Sequence, residues 1–315
     1  MSRVGSKSPQ SLSADAERRG WRSQAYAFWK FSRPHTIIGT SLSVFGIYLI
    51  AIAQGVPFQP LVLAITWLAC LCGNVYIVGL NQLEDIAIDK INKPHLPLAA
   101  GEFSRRQAIA IVALTGIAAL VLAAIGSLKL LAMVGLSLLI GTAYSLPPVR
   151  LKRFPLLAAF CIFTVRGVIV NLGLFFHYIQ QWTVPPLMWA LTLFIVGFTA
   201  AIALYKDIPD VEGDQQYRIR TFTLQLGRER VFQISVALIV ACYVGMAIAA
   251  VFGLPGVEPN FVIASHLVAA LLLLWRTHKV DLHSRTAVGK SYQFIWKLFF
   301  LEYLLFPVAC LLQQS

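Results

Sequence analysis

Seven of the chain's 14 acidic residues (Glu84, Asp85, Asp89, Asp207, Asp210, Glu212 and Asp214) fall in two short stretches. Such crowding is costly unless something offsets it. Two carboxylates about 4 Å apart repel by roughly 4 kcal/mol at an effective dielectric of 20. Both stretches follow long apolar runs, and near a helix C-terminus the macrodipole adds to the penalty. A divalent cation removes it. Hard oxygen ligands of this kind suit Mg²⁺, which keeps several waters and shares its other positions with substrate phosphates. Asn81, Asp85 and Asp89 stand at i, i+4 and i+8, one stripe if the preceding helix continues. Asp207, Asp210 and Asp214 stand at i, i+3 and i+7, a matching stripe, although Pro209 and Gly213 weaken a regular helix there. Either stretch alone reads equally well as solvated loop charge. Two stretches matched in spacing and side point instead to one diphosphate clamped through two Mg²⁺ ions, which would neutralise it as a leaving group.

The elements that must position these groups are membrane spans. Of 315 residues, 58% are hydrophobic and 13% charged, against about 45–50% and about 25% in soluble domains. Nine apolar runs approach the ~20 residues that cross ~30 Å of hydrocarbon. They are 37–53, 61–80, 108–126, 130–144, 156–176, 187–205, 231–253, 261–275 and 294–312. The expected fold is an all-α membrane protein with about nine transmembrane helices in one bundle. The formal charge is +12, but 23 of the 26 Lys and Arg lie in alternate loops. That pattern puts the N-terminus in the cytoplasm and the C-terminus on the opposite side. The basic charge therefore reads as topology and attraction to membrane lipid headgroups, not as a nucleic-acid footprint.

Residues 1–35 read as a cytoplasmic tail, Ser-rich and disordered to Gly20, then an interfacial helix from Trp21 to Phe31. With no apolar run there to act as a cleavable signal, the first span must direct insertion. Residues 36–315 read as the membrane domain. The five cysteines all lie in apolar runs without metal-ligand spacing, and the six histidines form no ligand pattern. The two acidic loops share a layout at an offset of 122–126 residues, each ending in Gly and Arg at the next span. An internal duplication with a ninth helix added fits that layout.

The segment Asn81 to Glu102, NQLEDIAIDKINKPHLPLAAGE, resembles the N-x-x-x-D-x-x-x-D motif of UbiA-type prenyltransferases. Lys206 to Asp214, KDIPDVEGD, resembles their D-x-x-D-x-x-x-D motif. Both runs are more similar to the homogentisate phytyltransferase branch than to chlorophyll synthases, from which Lys90 and His95-Leu96-Pro97 depart. The resemblance implies Mg²⁺-dependent transfer of a phytyl or other long prenyl group from its diphosphate to homogentisate with decarboxylation, a step of tocopherol synthesis, in a plasma or thylakoid membrane. It implies metal and diphosphate roles for Asn81, Asp85, Asp89, Asp207, Asp210 and Asp214, with Asp85, Asp89, Asp207 and Asp210 as the catalytic carboxylates. It also places Tyr144, Lys152 and Arg153 at the diphosphate. Arg33, Lys206 and Arg220 are further phosphate contacts, or serve only the positive-inside pattern.

Arg166 lies ~16 Å along the fifth span at 1.5 Å per residue, where an ionised side chain is rare and usually functional. It must face the bundle interior, either to bind the acceptor's carboxylate or to tie neighbouring helix carbonyls. Tyr76, Tyr144 and Tyr205, near the polar motifs, are candidates to shield an allylic cation. Lys297 and Glu302 are unassigned: they lie near the polar entrance of the last span, or pair with each other. A chlorophyll synthase-like enzyme is the alternative within the family. A secondary transporter is the alternative outside it, and would place its acidic residues at mid-membrane.

Overall fold

The computed structural model describes residues 20–217 and 220–313; the Ser-rich tail to residue 19 and Arg218 lie outside them. After α1 (Trp21–Phe31) come α2 (Pro34–Ala53), α3 (Pro60–Glu84), the short α4 (Ile86–Asn92), α5 (Arg105–Gly126) and α6 (Leu128–Ser145). Next are α7 (Pro155–Ile179), α8 (Pro186–Tyr205), the short α9 (Val211–Gln216) and α10 (Phe222–Leu226), then α11 (Arg228–Val251), α12 (Pro259–Thr277) and α13 (Arg285–Leu312). Among the described residues, nine helices are long and apolar enough to span a membrane.

Local chemistry sets their ends. Proline opens α2, α3, α7, α8 and α12, where its missing N–H costs nothing. Ser104 and Gln107 form a capping box at α5, and Ser127 caps α6 one residue beyond the end of α5, which forces a tight hairpin. The last span begins at Arg285, nine residues before its apolar run. Its first turns are polar, with Arg285, Gly289, Tyr292 and Gln293 lining the interior cavity, so Arg285 and Lys290 are helical and not loop residues.

Six helices (α2, α3, α6, α7, α8 and α13) pack into a closed ring, with α5 outside α3 and α6, and α11 and α12 outside α8 and α13. With no hydrophobic drive between helices in lipid, close approach depends on small residues. A Cβ at Gly46 would stand 2.7 Å from the Tyr303 carbonyl, and one at Gly167 2.6 Å from Val196. Each acidic stretch joins a long helix to a short one (α4 or α9) and leads to a long helix opened by arginine, with the further short helix α10 inserted in the second. Helices α4 and α9 pack against each other. Four spans separate them, so both acidic stretches emerge on one face.

Candidate active site

The ring encloses a cavity of about 1350 Å³, lined by residues of its six helices and of the two acidic loops. Both acidic stripes reach it: Asn81, Asp85 and Asp89 from one side, Asp207, Asp210 and Asp214 from the other. Arg33, Tyr144, Lys152, Arg153, Arg166, Lys206 and Arg220 line the same space. The first stripe does not sit on one continuous helix. The helix breaks at Asp85 (φ −110°, ψ 17°), yet the Asp85 N–H still reaches Asn81 O at 3.1 Å and the Asp89 N–H reaches Asp85 O at 2.7 Å. The kink therefore turns the chain without scattering the stripe. The second stretch is interrupted, as Pro209 and Gly213 require: α8 ends at Tyr205 and α9 begins at Val211.

Carboxylates and cations interleave at the mouth. Asp85 is held by Lys152 at 2.6 Å and Arg150 at 3.2 Å, and its other oxygen accepts from Asn81 Nδ2 at 3.2 Å. Arg33 donates to Asn81 Oδ1 at 3.2 Å. Lys206 pairs with Asp207 at 2.6 Å, and Lys93 pairs with Asp210. Asn92 joins the two stretches: its Oδ1 accepts from the Gly213 N–H at 3.0 Å and its Nδ2 faces Asp214 Oδ1 at 3.5 Å. Arg285 donates to the Asn92 carbonyl. Arg33 and Arg150 both take left-handed backbone (φ 53° and 37°), a conformation that non-glycine residues adopt mainly where the surroundings enforce it.

Asp89 stands apart. It is 5% exposed, and its carboxylate has no hydrogen bond or ion pair among the described residues. Burial raises its pKa, against the attraction of Arg33 and Lys93. Asp214 is pushed up to about 7 by burial and then by repulsion from Asp207 and Asp210. Burial lowers the Lys152 pKa although Asp85 opposes it. For Lys206 burial is outweighed by Asp207, and its pKa rises. Asp89 and Asp214 are thus the two cavity carboxylates without an ion pair among the described residues, which fits a cation at that place. Among the described residues no three His, Cys, Asp or Glu side chains gather closely enough to hold a metal alone. The donor set therefore suits an ion completed by water and phosphate oxygens.

Several features escape sequence reasoning. Arg150 and Lys93 sit in basic clusters that topology already explained, and nothing in the spacing marks them as carboxylate partners. Tyr292 and Trp296 line the cavity, but the first was hidden in the polar start of α13. Tyr76 and Tyr205 do not line it: Tyr76 bonds Thr142 at 2.7 Å, and Tyr205 stacks on Tyr292 at 5.7 Å. Glu302 pairs with His266 at 3.3 Å rather than with Lys297. The Arg166 guanidinium lies over Trp296 at 5.3 Å and Phe299 at 5.6 Å. It ties no helix carbonyl among the described residues, which removes that reading.

A ring of membrane helices whose polar mouth gathers carboxylates, amides and cations above an apolar interior defines a class: an intramembrane bundle built for a polyanion with a lipophilic tail. The sequence model of the UbiA prenyltransferase family matches residues 41–298. The homogentisate phytyltransferase of Synechocystis sp. is 54% identical over 292 residues, 90% of this chain and 95% of the relative. Homogentisate phytyltransferase 1 of Arabidopsis thaliana is 40% identical over 318 residues, 95% of this chain and 79% of the relative. A UbiA homologue from Archaeoglobus fulgidus bound to GPP and Mg²⁺ shares the fold, with a TM-score of 0.63 at 18% identity over 90% of this chain and 99% of that one. The chain belongs to the UbiA prenyltransferase family.

Proposed function

We propose that this chain transfers a phytyl group from its diphosphate to homogentisate, releasing diphosphate and CO₂. The observation that carries this reading is the 54% identity to a homogentisate phytyltransferase across nearly the full length of both chains. Asn81, Asp85, Asp89, Asp207, Asp210 and Asp214 would hold Mg²⁺, as two ions bridging the diphosphate. Bound there, Mg²⁺ supplies charge neutralisation for the leaving group. The chain's own part is placement and shielding. Arg33, Lys152, Arg153, Lys206 and Arg220, with Arg150 and Lys93, present a cationic collar to the phosphate oxygens. Each collar lysine or arginine that turns from its carboxylate to phosphate leaves that carboxylate free to ligate. The faces of Tyr144, Tyr292 and Trp296 shield the developing allylic cation from water, and the apolar wall takes the tail at no desolvation cost. The acceptor's ring carbon closes on C1 of the prenyl group, and the ring proton leaves. Loss of CO₂ from the side chain is balanced by proton uptake at the benzylic carbon.

The test is to incubate purified protein with Mg²⁺, homogentisate and a series of prenyl diphosphates and to identify the product. Phytyl diphosphate is expected to be turned over best, and EDTA to abolish turnover reversibly. Full activity in EDTA would overturn the metal reading.

The same proposal places the N-terminus and the site in the cytoplasm, with α1 at the interface, in a plasma or thylakoid membrane. Its exposed Trp21, Tyr26 and Trp29 support that placement. In a background with the five native cysteines replaced, Ala100→Cys and Gln225→Cys should label from the N-terminal face and Gln181→Cys from the other. Labelling of the first two from opposite faces would break the shared site.

A further inference from the structure

Arg166 carries a charge that the diphosphate machinery does not use. It sits in the π-helical turn Thr164–Ile169 of α7, an irregularity that recurs at functional positions. Its guanidinium faces the cavity and has no carboxylate, carbonyl or hydroxyl partner among the described residues. Its contacts are the rings of Trp296 and Phe299. Cation–π contact returns only a small part of what an ion loses on leaving water. An arginine kept at this depth is therefore waiting for an anion.

Position distinguishes which anion. Helical side chains lean toward their own N-terminus, and for α7 that end is the mouth. The guanidinium reaches back to Gly39 of α2, where a Cβ would stand 2.9 Å from Arg166 Nη1. Gly39 is six residues beyond Arg33, roughly 9 Å further in at 1.5 Å per residue. Arg33 marks the diphosphate end through Asn81. The guanidinium is thus set off from the collar by about the reach of one aromatic ring and a short acidic arm. The wall across that gap is aromatic: Trp296 packs edge-on with His35 at 5.0 Å, and the indole N–H meets no acceptor in hydrogen-bonding geometry.

We infer that Arg166, with Trp296 beside it, is the carboxylate end of the acceptor subsite, so that the aromatic acid binds ring toward the mouth and carboxylate inward. The inference rests on the proposed reading that the acceptor is an aromatic acid. In that orientation the ring meets C1 of the prenyl diphosphate while the carboxylate stays out of reach of the metal and of the phosphate-binding lysines. An acid carboxylate would otherwise compete for those groups. Gly39 keeps the space open for the guanidinium.

The experiment compares wild type, Arg166→Gln and Arg166→Lys for the KM of homogentisate and of the prenyl diphosphate, and for inhibition by 2,5-dihydroxyphenylacetamide, which carries a neutral amide in place of the carboxylate. Arg166→Gln should raise the homogentisate KM roughly 10- to 150-fold, the worth of a hydrogen-bonded charge. The KM for the prenyl diphosphate and the inhibition by the amide should not change. Arg166→Lys keeps the charge without the fork and should fall between, which also serves if the Gln variant does not fold. An unchanged homogentisate KM, or both KM values rising together, would overturn the assignment while leaving the enzyme reading intact. Wild type that does not prenylate homogentisate would overturn both.

Discussion

Asp89→Asn is expected to lower kcat by about 10³-fold, the rate equivalent of about 4 kcal/mol of lost transition-state charge stabilisation, while the thermal midpoint stays level or rises. The two readouts move apart because the carboxylate is built for an ion and not for the fold. Asp89 is buried without a partner for its charge, and burial raises its pKa above the ordinary carboxylate value. A raised carboxylate pKa means that the folded state holds the proton more tightly than the unfolded chain. Any stability linked to that proton is present at low pH and is lost as pH rises through the folded value. At neutral pH the charge is therefore a burden on the metal-free fold, and an isosteric amide removes it. Kinetics at saturating Mg²⁺ and a melt without it check the pair. A variant that loses stability along with turnover would make Asp89 a structural residue.

The same residue shows how far sequence could reach. That Asp85 and Asp89 serve a cation is legible from crowding and spacing, since no arrangement of seven acidic residues near two span ends is otherwise cheap. That Asp89 lacks both a counter-charge and a hydrogen-bond partner among the described residues is not legible, because it depends on Lys152 and Arg150 arriving from beyond the fourth span and Lys93 turning toward Asp210. Those approaches come from the backbone. Arg33 and Arg150 reach the first stripe from left-handed positions that no propensity assigns to arginine. The spans themselves were legible, cavity-lining ones included, because each carries a long apolar run. The polar start of α13 was not: its first turns read as loop, and with them went Tyr292. The kink at Asp85 was equally hidden, since it preserves the i to i+4 backbone bonds on which the stripe depends.

Between the two stripes lies the contact on which the shared site depends most, and Gly213→Ala should expose it. A Cβ there would stand 2.3 Å from Asn92 Oδ1, 2.6 Å from its Cγ and 2.7 Å from its Nδ2. Asn92 cannot swing aside cheaply. It is 6% exposed, its amide is engaged by the Gly213 N–H and by Asp214, and its carbonyl is engaged by Arg285. The short helices α4 and α9 must separate instead, carrying Asp89 away from Asp210 and Asp214. Overpacking of this kind costs about 1–3 kcal/mol of stability. The larger loss is in rate, because a displacement of about 1 Å at a positioned site can cost roughly 10²-fold. The half-saturating Mg²⁺ concentration should rise with it, since the ions would be shared by carboxylates no longer in register. Gly289→Ala is the matched control: Gly289 also lines the cavity, but a Cβ there meets nothing within 4 Å, so kcat and Mg²⁺ dependence should hold. Relieving the clash in Gly213→Ala with Asn92→Ala should restore stability but not rate, because the bridge between the stripes is then gone. If Gly213→Ala alone kept full activity and an unaltered Mg²⁺ requirement, the two acidic stretches would not be acting as one site.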